Sequence, residues 1–190
     1  MPLSASGRIG TVLQRAAYRS SQFFKAAGAR VTDDDRALVD SVLTTPPQRA
    51  LFEHMPVADQ RHAVATLRTL RADGHDHPAL NQAALLHDVA KSGAGITVFH
   101  RVVVVLLQAI RPDWLSWLVR NAGQNSTDRW RRPFACYLEH PAIGADWAET
   151  AACDPTAVSL IRRHQSLVSP SSIAFEDQLL RLLQAADDKN

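Results

Sequence analysis

The stretch Ala83-Ala84-Leu85-Leu86-His87-Asp88-Val89-Ala90-Lys91 is apolar at six of its nine positions, with no period-two alternation. That pattern predicts a helix buried on most sides rather than a half-buried strand. A charged Asp in such a helix is costly unless it is paired or bound to a metal. Adjacent helical residues point about 100° apart, so His87 and Asp88 can both reach one ion beside the helix. Lys91 stands four residues after His87 and is expected on its face. A core histidine satisfied by its neighbouring carboxylate is the alternative, and this stretch alone does not separate the two.

Outward from this stretch the chain reads as helices. Pro78 is well placed to open the helix that ends at Lys91, before Gly93 and Gly95. Upstream, Val57 to Arg71 is ended by Asp73-Gly74. Before it, Asp33 to Leu43 carries acids in its first turn and is stopped by Thr44-Thr45-Pro46-Pro47. Downstream come Val102 to Ile110 and Asp113 to Arg120, broken at Pro112, then a polar loop over 121–133. Pro141 to Ala152, Pro155 to Leu167 and Ser172 to Asp187 complete the set. The prediction is an all-α helical bundle over residues 32–190, preceded by a basic helical segment, 1–31.

At 190 residues, with 46% hydrophobic and 21% charged side chains, the chain has the composition of a globular domain and not of a disordered one. Its formal net charge of +2 gives no reason to expect nucleic acid as a partner. The charge is uneven. Arg8, Arg15, Arg19, Lys25 and Arg30 precede the first acid, Asp33, so the first 32 residues carry +5 and the remainder −3. Residues 8–28, with Phe23 and Phe24, could lie on an anionic membrane surface. The same composition fits a transit peptide or a helix packed on the domain with its basic face in water. Cys136 and Cys153 form no CxxC pair, and Met1 to Gly10 lacks the apolar core of a secretory signal, so a reducing, cytoplasmic setting is expected. The apolar run Val102 to Ile110 is too short to span a bilayer. Trp114 and Trp117 beyond it are expected in core helices, with peripheral membrane contact as the alternative.

Among the eight histidines, three besides His87 fall where a ligand would be useful. His62 lies on a helix face beside Ala58, Ala65, Thr66 and Thr69, whose small side chains leave room. His164 shares a face with Ala157 and Ile161, and Asp187 shares one with Leu180 and Leu183, so both point inward. His140 precedes Pro141 at an expected helix start. Converging buried polar groups usually have a common partner. His54, His75, His77 and His100 have no such context.

The series His62, His87-Asp88 and distant Asp187 resembles the H…HD…D signature of the HD superfamily, and the gaps 62 to 87 and 164 to 187 fit it. The added His140 and His164 are similar to the extended ligand set of two-metal members. His140-Pro141-Ala142-Ile143-Gly144-Ala145 resembles the "HP..GA" helix start. Asp59 to His62, Leu85 to Ser92, Trp130 to Phe134 and Ala186 to Asn190 are similar to "DQRH", "LLHD..KS", "WRRPF" and "ADD.N" in a group of bacterial HD proteins. The ligand order also resembles that of HD-type diadenosine tetraphosphate hydrolases. No GYP motif follows His164, and the Asp/Glu pair of the alarmone-degrading branch is missing.

The resemblance implies an HD-domain bundle that hydrolyses a phosphate ester or anhydride, with a nucleotide as the expected substrate class. It implies His62, His87, Asp88 and Asp187 as ligands of one metal, and His140 and His164 as ligands of a second, with Asp88 bridging. A mixed imidazole and carboxylate shell suits Fe, Mn, Zn or Ni better than Mg alone. A metal-bound hydroxide would attack phosphorus, with Asp88 and Lys91 in the catalytic set. Lys91, Arg162 and Arg163 are candidates to hold substrate phosphates, although a solvated face explains the two arginines equally. A different class, a nucleotide-sensing regulatory module with little turnover, would keep the same scaffold.

Overall fold

The computed structural model describes residues 30–94, 107, 113–114, 117 and 132–190. Among them no strand occurs, and the fold is all-α. The elements are α1 (Asp33–Val42), α2 (Pro46–Glu53), α3 (Val57–Ala72), α4 (Pro78–Leu86), a 3₁₀ turn (Val89–Ala94), α5 (Arg132–Thr150), α6 (Pro155–Arg163) and α7 (Phe175–Lys189). Contacts group Ala29–Ser92 with Glu139–Asn190 as one compact unit, which carries all six candidate metal ligands. Most of the basic segment 1–31 and of the 102–131 region lies outside the described residues, and with it the alternative readings of residues 8–28 as a membrane-surface or a packed helix. Trp114 and Trp117 are helical and exposed rather than in a core. No helix among the described residues is long and apolar enough to cross a membrane.

The helix leading into His87-Asp88 is the hub. Ala79, Leu80, Ala83, Ala84, Leu85 and Leu86 are fully buried, and α4 packs against α1, α2, α3, α6 and α7. Its alanines let neighbours approach closely, while its leucines fill the space between them. The core continues through Leu67 and Leu70 of α3, Leu160 and Ile161 of α6, and Leu180 and Leu183 of α7.

Three elements depart from the sequence expectation. Thr44-Thr45-Pro46-Pro47 does end α1, but it also starts α2. Both prolines occupy the first helical positions, where a missing N–H costs nothing. Gln48 then ties α2 to the end of α5, its Nε2 donating to Ala152 O at 3.1 Å. The second departure is α5, which runs through Pro141 from Arg132 instead of starting at it. A proline inside a helix removes one ladder bond without necessarily ending it. His140 is therefore a mid-helix residue.

The third departure matters most for the site. The helix from Pro78 ends at Leu86, with His87 as its C-cap, and Lys91 N bonds Asp88 O at 3.0 Å in the tighter i to i+3 pattern. Side chains three apart eclipse in a 3₁₀ turn. Lys91 therefore stands over Asp88, at 2.5 Å from its Oδ2, and not on the face of His87. Gly144 of α5 lies against this turn. A Cβ there would meet Val89 Cγ1 at 3.2 Å and Ile161 Cγ2 at 3.6 Å, so a bare α-carbon lets α5 come close to the turn that follows His87-Asp88.

Candidate metal centre

Helix ends present most of the polar groups. His87 caps α4 and His164 caps α6. Each ring donates from Nδ1 to the carbonyl three residues back, His87 to Ala84 O at 3.0 Å and His164 to Ile161 O at 2.8 Å. A carbonyl only accepts, so in the neutral rings the proton sits on Nδ1 and the Nε2 lone pair is aimed away from the backbone. This is the ring orientation that metal-ligating histidines commonly have. His62 comes from α3, His140 from α5 and Asp187 from the last turns of α7.

These side chains meet as two triads whose ligand atoms lie within 4.8 Å of one another, His62, His87 and Asp187 in one, Asp88, His140 and His164 in the other. In the first, His62 Nε2 is 2.7 Å from Asp187 Oδ1 and His87 Nε2 is 3.5 Å from it. In the second, the two Nε2 atoms of His140 and His164 are 3.2 Å apart, and each is 3.6 Å from Asp88 Oδ1. The other Asp88 oxygen, Oδ2, is 3.6 Å from His87 Nε2. Asp88 thus turns one oxygen toward each triad. All six residues expected to bind metal come together, with Asp88 between the two sets.

Burial separates the interior of the centre from its rim. His87, Asp88, His140 and His164 are at most 6% exposed, whereas His62 and Asp187 are half-buried. His87 Nε2 and Asp88 Oδ1 are buried with no hydrogen-bond partner. Each such orphan costs about 1–3 kcal/mol if nothing compensates it. A cation near both would satisfy them, and the donor set of imidazole nitrogens and carboxylate oxygens suits one. The buried His and Asp groups could hold a metal ion.

The electrostatics agree with a demand for positive charge. Burial alone would lower the His87 pKa, but Asp88 and Asp187 raise it to about 9. Burial would raise Asp88, yet Lys91 and His87 hold its carboxyl well below the usual range. Asp187 is likewise held low against its burial, by a hydrogen bond from His62 and by the nearby charge of His87. His164 is pushed down to about 3, first by burial and then by the charge of His87, which keeps its Nε2 lone pair available.

The arginines behave differently. Arg162 Nη2 donates to Asp146 Oδ1 at 2.7 Å, and Arg163 pairs with Asp177 and, at 3.7 Å, with Glu176. Sequence reasoning missed Gln165, whose Nε2 reaches to 3.4 Å from His140 Nε2. Its only signal in the sequence was its place directly after His164, a candidate ligand. No protein-family model, curated protein or solved structure matches this chain.

Proposed function

We propose that the chain is a metal-dependent phosphohydrolase of the HD type that cleaves a phosphate ester or anhydride, with a nucleotide as the substrate class. The observation that carries this reading is the pair of triads joined through Asp88, with His87 Nε2 and Asp88 Oδ1 buried and unpartnered. Its residues fit two ions, with Fe, Mn, Zn or Ni favoured over Mg alone by the imidazole-rich shell. When bound, such ions supply an acidified water as nucleophile and positive charge for phosphoryl oxygens.

The chain's own residues do the rest. His62, His87 and Asp187 would hold one ion, and His140 and His164 the other, with Asp88 shared. The Nδ1–H bonds to Ala84 O and Ile161 O keep His87 and His164 from turning. Lys91, joined to Asp88 Oδ2, steadies that carboxylate and sets an ammonium beside the centre, where charge develops on the transferred phosphoryl group. The half-buried side at His62 and Asp187 gives a route from solvent.

Elemental analysis of protein purified without added metal, followed by a screen of nucleotides and simple phosphoesters, tests this. The expected result is about two transition-metal ions per chain and metal-dependent phosphate release, both lost in His87→Ala and in Asp88→Ala. Full activity in metal-free protein would overturn the mechanism. Metal and nucleotide binding without turnover would favour the regulatory reading instead.

A further inference from the structure

Gln165 stands at the outer edge of the Asp88–His140–His164 triad. It is exposed, while all three triad residues are buried. Its backbone is fixed on both sides, because Gln184 Nε2 of α7 donates to His164 O at 2.9 Å and to Ser166 O at 2.8 Å. The side chain bends back so that its Nε2 lies 3.4 Å from His140 Nε2. That contact is long for a hydrogen bond. It is also contested, since His164 Nε2 lies nearer to the same His140 nitrogen, at 3.2 Å. His164 gives its Nδ1 proton to Ile161 O, so in the neutral ring its Nε2 can only accept. The carboxamide is exposed at the triad's edge, with only this long contact on the His140 side.

A cation on this triad would take both Nε2 lone pairs. The Gln165 amide would then face the solvent side of the same cation. An anion arriving from solvent would offer the exposed amide a charged acceptor oxygen. We propose that Gln165 is a substrate-contact residue, its carboxamide N–H donating to a phosphoryl oxygen of the ligand seated at Asp88, His140 and His164. The inference rests on the metal-dependent phosphohydrolase reading and adds to it the residue that orients the phosphoryl group. A neutral donor suits the place: Lys91 already supplies positive charge on the Asp88 side, and the amide adds direction without adding charge.

The test uses the full chain loaded with Mn²⁺ and inorganic phosphate as the probe, titrated by calorimetry. Gln165→Ala is expected to keep the wild-type Mn²⁺ content and to weaken phosphate binding roughly 10- to 100-fold, the range for a hydrogen bond to a charged group. Gln165→Glu, which sets a carboxylate against the phosphate, is expected to weaken it at least as far, and it serves as the second variant if the alanine chain is unstable. Phosphate affinity within twofold of wild type in both variants overturns the assignment. Loss of Mn²⁺ from Gln165→Ala also overturns it, by making the residue a metal ligand. A wild-type chain that takes up no Mn²⁺ fails at an earlier step and overturns the proposed function itself.

Discussion

Asp88 has four charged or ligand-type neighbours at once: His87 on one oxygen, His140 and His164 on the other, and Lys91 at 2.5 Å. Lys91 can be removed without deleting a ligand. Lys91→Gln is expected to retain bound metal and to lower kcat about 100-fold, the usual effect of losing one donor aimed at developing charge. Metal content and kcat on a hydrolysed phosphoester, measured on the same preparation, check it, and an unchanged kcat would remove Lys91 from the site. At this scale the sequence was informative about which residues meet. His164 and Asp187 share faces with apolar residues and His62 one with small residues, and that pattern is visible without coordinates. It was uninformative about pairing within the cluster. Whether Lys91 stands over His87 or Asp88 depends on a change of helical pitch at Leu86, which no residue type announces.

At the scale of elements, prolines caused the misreadings. A proline can end a helix, open one, or sit inside one at the cost of a single bond. Thr44 to Pro47 does the first two in succession, and Pro141 the third. The start of α1 was legible from the acids of its first turn, and the structure adds a cap. Thr32 Oγ1 accepts from Asp35 N, and Asp35 Oδ2 accepts from Thr32 N at 2.9 Å and from its hydroxyl at 2.8 Å. Arg68 of α3 completes the arrangement at 2.8 Å from Asp35 Oδ1. Burial would raise the pKa of Asp35, but Thr32 and Arg68 bring it below the ordinary value. A carboxyl whose folded pKa is depressed stabilises the fold above its unfolded pKa of about 3.9, and loses that contribution as pH falls through the folded value. Asp35→Ala is therefore expected to cost about 1–2 kcal/mol at pH 7. The difference from the parent should shrink steadily below pH 4. Urea unfolding at pH 7 and pH 3 gives both numbers, and a difference independent of pH would show that the charge of Asp35 contributes nothing.

For the whole molecule, the site and the core are built from the same elements. α4 buries its leucines among five helices and delivers His87 and Asp88 from its end. An ion that binds only the folded arrangement stabilises it by mass action, about 2.7 kcal/mol at a hundredfold excess over Kd. For a domain of this size that corresponds to a Tm higher by roughly 5–10 °C. Thermal melts with and without added Mn²⁺ should show the rise in wild type and not in Asp88→Ala. The all-α class was legible because helical periodicity accumulates along the chain, whereas the grouping into units depends on long-range contacts that leave no local trace. The wide separation of the candidate ligands has a further consequence, for biosynthesis. His62 emerges from the ribosome 125 residues ahead of Asp187, a delay of roughly 6–25 s at about 5–20 residues per second. The Asp88–His140–His164 set is complete once His164 has been made, while the His62–His87 pair still waits for its carboxylate. The two halves of the centre are thus born in a fixed order, the buried one first and the one at the rim last.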